Sequence, residues 1–175
     1  MPRTPSAAMR GFTLLELLVV VVIIAIILGF VTLGLGGDRR GDALADESRR
    51  FAALLELASE QAVLRGEEWG VRIEPQRYDF LRLTEQGWLA VADDPLWRVR
   101  PFAGGTRLDL ELEGRELALA EAESEEDAPR PTLLLLSSGE ISPFLATFSA
   151  AATEQRFRVS GNLLGELRWE TLEAP

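Results

Sequence analysis

One stretch near the start of the chain decides how the rest is organised: Arg10-Gly11-Phe12-Thr13-Leu14-Leu15-Glu16, followed by an apolar run. From Leu17 to Gly37 there is no charged residue. About 20 apolar residues are enough for a helix to cross the hydrocarbon core of a bilayer with its backbone hydrogen bonds satisfied internally. The sequence therefore predicts a transmembrane helix, which we place at residues 12–37.

An acidic residue, Glu16, lies just inside this apolar segment. An ionisable side chain within a spanning helix costs free energy, so a partner for it should be sought. If the chain is cut after Gly11, the new amine of Phe12 lies one helical turn from Glu16. The carboxylate can then pair with that amine or with the amine of a neighbouring copy. The alternative is that Glu16 extends to the lipid headgroups from its position near the helix end.

The same residues resemble the leader of type IV prepilins and pseudopilins. In that pattern a short basic segment ends in Gly, and Phe, Thr-Leu-Leu-Glu and an apolar helix follow. The resemblance implies that a prepilin peptidase cuts between Gly11 and Phe12 and methylates the amine of Phe12. Residues 1–11 are then a leader that the mature chain lacks. It also implies that Glu16 neutralises the amino terminus of an adjacent subunit and sets its register during filament assembly.

The charges that flank the apolar segment do not decide its orientation. Arg3 and Arg10 precede it, whereas Arg39 and Arg40 closely follow it. The positive-inside rule alone therefore does not place the amino terminus in the cytoplasm. The family resemblance does, and it implies a single-pass inner-membrane protein whose carboxyl-terminal domain lies in the periplasm.

The composition excludes several kinds of chemistry. The 175-residue chain has neither cysteine nor histidine, which excludes disulfides, Ser-His and Cys-His nucleophile pairs and most zinc sites. The net charge is −10, so we expect no nucleic-acid binding, which needs a basic surface. Carboxylates such as Glu74, Asp79 and Glu140 leave acid–base catalysis open in principle. Since no pair of them differs from ordinary surface charge, we predict no enzyme activity, no catalytic residue, no cofactor and no metal site.

A second helical pattern follows the apolar segment. We place an amphipathic helix at residues 38–66, ended by Gly66, and predict that its apolar stripe packs on a sheet. The stripe has helical spacing and comprises Leu44, Phe51, Leu55, Ala58 and Ala62. A free coiled coil is the alternative, but regular heptads are lacking. The glycines between Gly29 and Gly41 either end the first helix or form a hinge.

From Trp69 onward the pattern changes to short alternating runs separated by turn residues, which is typical of antiparallel sheets. We predict a β-sheet domain at residues 67–175. Its candidate strands cover residues 69–74, 77–83, 87–91, 96–100, 107–113, 116–120, 132–136, 144–150, 155–160 and 163–169. Residues 121–131 are acidic and closed by prolines, which predicts a mobile surface loop. Their carboxylates leave a calcium site open, although no EF-hand spacing is present.

The body of the chain resembles the protein H family of type II secretion minor pseudopilins. The resemblance rests on residues 54–71, on Tyr78-Asp79-Phe80 and on residues 136–144. It implies an α+β fold in which a long hydrophobic amino-terminal helix packs on the antiparallel sheets of a pilin-like periplasmic domain. It also implies a structural subunit, near the tip of a periplasmic pseudopilus, that helps to export folded proteins across the outer membrane. The implied partners are other major and minor pseudopilins, the prepilin peptidase and the inner-membrane assembly platform.

Two other interpretations are open at the level of the sequence. One is a minor pilin of a type IV pilus that primes assembly or takes up DNA. Such pilins often carry a cysteine pair and a basic carboxyl-terminal region, and this chain has neither. The other is an ordinary single-pass anchor for a periplasmic binding module, which failure of cleavage between Gly11 and Phe12 would favour.

Overall fold

The computed structural model describes residues 14–34, 39–91, 94–120, 128–151 and 153–172, with side chains omitted for residues 26–34. The chain divides into two compact units, residues 1–37 and residues 38–175. Gly36 and Gly37, two of the glycines of the predicted hinge or helix end, and most of the predicted acidic loop lie outside the described residues.

The first unit contains helix α1, Leu14–Gly34. Its described side chains, at residues 14–25, are all exposed. Among the described residues, none of the helices has both the length and the apolar character that crossing a membrane requires.

The second unit opens with helix α2, Arg39–Arg65. Gly66 follows it with a φ of 63°, and the backbone N–H of Glu67 donates to the carbonyl of Ala62 at 3.1 Å. A glycine in the left-handed region that closes the last turn is a common helix end. The apolar stripe predicted for this helix is confirmed, because each of its members is buried: Leu44, Phe51, Leu55, Ala58 and Ala62.

Within the described residues, ten strands follow α2 and form two five-stranded sheets. They are β1 Trp69–Ile73, β2 Arg77–Thr84, β3 Gly87–Ala90, β4 Arg100–Pro101, β5 Thr106–Leu112, β6 Arg115–Leu117, β7 Leu133–Leu135, β8 Phe144–Ala150, β9 Arg156–Gly161 and β10 Leu167–Leu172. The first sheet has the order β3-β2-β1-β7, with β4 paired to β2, and the second has the order β10-β9-β8-β5-β6. All of these pairs are antiparallel, so the predicted α+β fold with antiparallel sheets is confirmed.

Three of the predicted strands are wrong in part, and one of them, predicted at residues 116–120, ends as β6 at Leu117. Residues 95–97 form a 3₁₀ turn instead of a strand, because the carboxylate of Asp94 accepts from the backbone N–H of Leu96 at 2.8 Å. Residues 163–166 form a turn before β10, because the side-chain oxygen of Asn162 accepts from the backbone N–H groups of Leu164 and Glu166, both at 3.0 Å. In both places a short polar side chain offers the backbone an alternative to the sheet.

Helix α2 packs against strands of both sheets, which are β1 and β7 of the first and β8, β9 and β10 of the second. Phe51 shows how the core is shared. Its ring lies 5.0 Å from that of Tyr78 on β2 and 5.5 Å from that of Phe148 on β8, centroid to centroid. Edge-to-face ring pairs at this separation are favourable beyond the area they bury. One continuous core therefore joins the helix and the two sheets.

Candidate functional site

The structure places one of the three site residues that the sequence predicts. Gly11 and Phe12, the predicted cleavage position and methylated residue, lie outside the described residues. Glu16 lies in the first turn of α1, where it is the acidic residue of that turn, and it is exposed. Its role in charge pairing stays a prediction.

Glu16 is surrounded along the helix by exposed apolar side chains. Leu14, Leu15 and Leu17 are 86%, 73% and 59% exposed. Such a surface is suited to burial against lipid or against other apolar helices. A carboxylate on it needs a cationic partner once water is removed, which makes Glu16 a candidate for fixing the register of one helix against another.

A cluster formed by Glu47, Arg50, Tyr78 and Arg100 lies where α2 meets the first sheet. The Glu47 carboxylate on α2 is 1% exposed and forms an ion pair with the Arg50 guanidinium one turn later. Burial raises the pKa of Glu47, and the positive charges of Arg50 and Arg100 oppose that rise. Burial and the nearby Glu47 carboxylate raise the pKa of Tyr78 to about 12. Because the Glu47 carboxylate is buried, loss of Arg50 would leave it without its ion-pair partner.

A second polar contact connects α2 to the edge strand β10. The indole N–H of Trp169 donates to the Ser48 hydroxyl at 2.8 Å, and that hydroxyl donates to the carbonyl of Ala45 at 2.9 Å. The guanidinium of Arg49 lies 4.4 Å from the centre of the Trp169 ring, within the range of a cation–π interaction. Sequence reasoning missed Glu47 and Ser48. The available signal was two polar residues within the apolar stripe, between Leu44 and Phe51.

The carboxylates considered for acid–base chemistry have structural partners. Asp79 is buried and accepts two hydrogen bonds from the guanidinium of Arg72, both at 2.8 Å, and the hydrogen bonds that Arg72 donates to Asp79 raise the pKa of Arg72. Glu74 is buried and accepts from Arg77 at 2.5 Å. The third, Glu140, is exposed and accepts from Ser138 at 3.1 Å. Within the described ranges, no three acidic side chains are grouped to hold a metal ion.

Two family profiles match the chain. The profile of the type II transport protein GspH covers residues 47–165, and that of the prokaryotic N-terminal methylation motif covers residues 7–32. Type II secretion system protein H of Pseudomonas aeruginosa is 38% identical over 159 residues, which are 85% of this chain and 88% of that protein. Type II secretion system protein H of Aeromonas hydrophila is 32% identical over 170 residues, 90% and 91% of the two chains.

Solved structures agree with these matches. The crystal structure of the minor pseudopilin EpsH from the type II secretion system of Vibrio cholerae has a TM-score of 0.62 and 32% identity, and the match covers 73% of this chain and 93% of that one. The solution structure of Escherichia coli GspH, 18% identical, shares the fold with a TM-score of 0.58, covering 78% and 92%. The GspH profile spans most of the two-sheet unit, and the chain therefore belongs to the GspH family of type II secretion minor pseudopilins.

Proposed function

We propose that this chain is a structural subunit of the periplasmic pseudopilus and lies in its tip region. The pseudopilus drives export of folded proteins across the outer membrane. One observation carries the proposal: a methylation motif at residues 7–32 precedes a GspH body at residues 47–165 in the same chain. The methylation motif is typical of precursors that are processed before they assemble into a filament. The GspH body indicates that this filament belongs to a type II secretion system.

Maturation is the first step of the proposed function. A prepilin peptidase removes residues 1–11 between Gly11 and Phe12 and methylates the new amine of Phe12. Residues 12–37 then span the inner membrane once, with the amino terminus in the cytoplasm. The amphipathic helix at residues 38–66 and the β-sheet domain at residues 67–175 lie in the periplasm. The exposed apolar side chains of α1 support this arrangement, because water is an unfavourable surrounding for them.

Assembly is the second step. Helix α1 bundles with the corresponding helices of major and minor pseudopilins as the inner-membrane assembly platform moves subunits out of the bilayer. Glu16 pairs with the amino terminus of an adjacent subunit and so aligns the helices. Its place in the first turn of an otherwise apolar helix supports this role, because a misaligned subunit would leave the carboxylate unpaired among apolar side chains.

The alternative of a type IV minor pilin is less well supported. The Pseudomonas and Aeromonas relatives are both type II secretion proteins. A membrane-anchored enzyme is also less well supported, because the family is a structural one and the candidate carboxylates have structural partners.

A strain that lacks this gene tests the proposal. Proteins in the culture medium are profiled, while surface pili are counted and twitching is scored in the same strain. We expect a defined set of secreted proteins to be lost while pili and twitching stay normal, and the parent gene to restore secretion. Loss of pili with secretion intact would instead identify a minor pilin.

A further inference from the structure

A groove opens in the second unit where α2 begins. It has a volume of about 390 Å³, and Arg39 and Arg40 of α2 form one side. The turn at residues 103–106 and the end of β8 at Ala150 form the other side. The groove continues past Gly105 and Ala150 into a second depression of about 590 Å³, which is lined in part by Arg107 and Arg156.

The charge of this groove is opposite to that of the chain. Among the described residues, its lining contains four exposed arginines and one acidic residue, Glu154, whereas the chain carries a net charge of −10. Arg107 pairs with Asp109 at 3.1 Å. Within the part of the chain that the structure describes, the other three have no acidic partner at ion-pair distance: Arg39, Arg40 and Arg156. The groove thus holds positive charge that the described part of the domain does not neutralise.

The side of the groove opposite Arg39 and Arg40 is open to a ligand. Gly104 and Gly105 form part of it, and a Cβ atom built on either would meet nothing within 4 Å. Alanines form the rest of the β8 side, at Ala150 and Ala151. Small side chains between arginines leave space for an anionic group to approach the guanidinium donors, which bind phosphate oxygens in pairs.

The position of the groove along the chain indicates which anion it meets. Residues 35–38 separate the end of α1 from Arg39, and five extended residue steps span at most about 18 Å. If residues 12–37 span the inner membrane, Arg39 and Arg40 follow on the periplasmic side. The positive-inside rule associates arginines with the cytoplasmic side and does not explain them on the periplasmic side. An anionic ligand at the membrane surface would explain their position.

We propose that this arginine groove binds the phosphate groups of anionic phospholipids in the periplasmic leaflet of the inner membrane. The contact holds the β-sheet domain against the bilayer until the subunit is moved into the filament. The inference rests on the proposed membrane insertion of residues 12–37. It goes further by assigning a ligand class to a surface outside the helix that assembles.

The test uses the full-length chain in lipid nanodiscs. One set contains phosphatidylcholine alone, and the other contains equal parts of phosphatidylcholine and phosphatidylglycerol. Hydrogen–deuterium exchange is followed at residues 103–107 and 153–156. We expect slower exchange in the anionic nanodiscs and a loss of this protection at high salt, which screens exposed charges.

A double variant, Arg39→Gln with Arg40→Gln, tests the arginines directly. Each arginine near an anionic surface contributes to binding, so we expect the apparent affinity for phosphatidylglycerol to fall roughly fivefold per residue. The matched control is Arg65→Gln with Arg130→Gln, which removes the same charge from exposed positions outside the groove. The control should keep the protection, and thermal unfolding should show both variants to be folded.

Four results would overturn the inference. The first is equal hydrogen exchange of the groove residues in the two kinds of nanodisc, and the second is a loss of protection in the control variant as large as in the groove variant. The third is the same protection when inorganic phosphate is added to phosphatidylcholine nanodiscs. The fourth is protection that appears only when a second pseudopilin is present. The third would indicate a site for free anions, and the fourth a protein partner. A chain that does not insert into nanodiscs would contradict the proposed membrane anchoring, whereas an inserted chain without protection contradicts the lipid contact alone.

Discussion

Helices α1 and α2 are adjacent in the sequence but differ in what their side chains meet. The described side chains of α1 are all exposed, and Glu16 is the acid of its first turn. Helix α2 buries one face against two sheets and places Glu47 and Ser48 within that face. The apolar side chains of α1 are suited to contact with lipid or with other apolar helices, whereas the apolar face of α2 packs against the sheets of its own domain. Substitutions in α1 should therefore impair assembly, and those in α2 should impair folding.

The largest expected effect is in α1. We predict that Glu16→Ala lowers secretion on the order of tenfold, because a subunit without this carboxylate loses the proposed charge pairing in an apolar surrounding. Cleavage of the leader and the thermal stability of the sheet domain should not change. Complementation of the deletion strain measures secretion, and Glu56→Ala, at an exposed position of α2, is the control. Normal incorporation of Glu16→Ala into filaments would refute this role.

The next largest effect is in the buried face of α2. Phe51 is fully buried between rings of both sheets, so Phe51→Ala should lower the free energy of unfolding by about 3–5 kcal/mol. Urea unfolding followed by tryptophan fluorescence measures it. Leu64→Ala lies on the same helix, where Leu64 is 77% exposed, and should change stability by less than about 0.5 kcal/mol. Equal effects of the two substitutions would remove the distinction between the faces of α2.

A smaller effect is expected at the contact between α2 and β10. Ser48→Ala removes the acceptor of the Trp169 indole N–H and should cost about 1–2 kcal/mol. A double-mutant cycle with Trp169→Phe separates this hydrogen bond from the packing of the ring. A coupling energy near zero would mean that the hydrogen bond does not stabilise the fold.

The smallest expected effect is a pH dependence. The pKa of Glu47 is raised above its ordinary value of 4.5 by burial, so the folded state binds this proton more tightly than the unfolded state does. The parent chain should therefore lose stability relative to Glu47→Gln as the pH rises from about 4.5 through the raised pKa, and the difference should then level off. Urea unfolding of both chains across this range measures it. The opposite slope would mean that the Arg50 and Arg100 charges outweigh burial.

Local pattern was enough to predict much of the fold. The spacing from Leu44 to Ala62 predicted both the helix and its buried face, and the alternation at residues 107–113 predicted β5 almost residue for residue. The pattern misled at Leu96 and Trp97, two apolar residues that favour a strand. There Asp94 caps a 3₁₀ turn instead. A single side-chain hydrogen bond of this kind does not alter the periodicity of apolar residues, so the pattern could not reveal the turn.

The candidate functional residues differ in how far the sequence could predict them. Glu16 was identified from a short contiguous motif, and the motif holds every residue on which that prediction depends. The arginine groove joins Arg39, Arg40, Arg107 and Arg156, which only the folded sheets bring together. The Glu47 cluster likewise depends on residues distant in sequence. Sequence alone shows the charges but not which of them share a surface.

The mature form of the chain tests the central claim most directly. Intact-mass spectrometry of the protein purified from membranes measures its amino terminus. The account predicts a chain that begins at Phe12, lacks residues 1–11 and carries one added methyl group, and a Gly11→Val variant that retains the leader. A parent chain that keeps Met1, or one that begins elsewhere, would contradict the assignment of the amino-terminal segment to filament assembly.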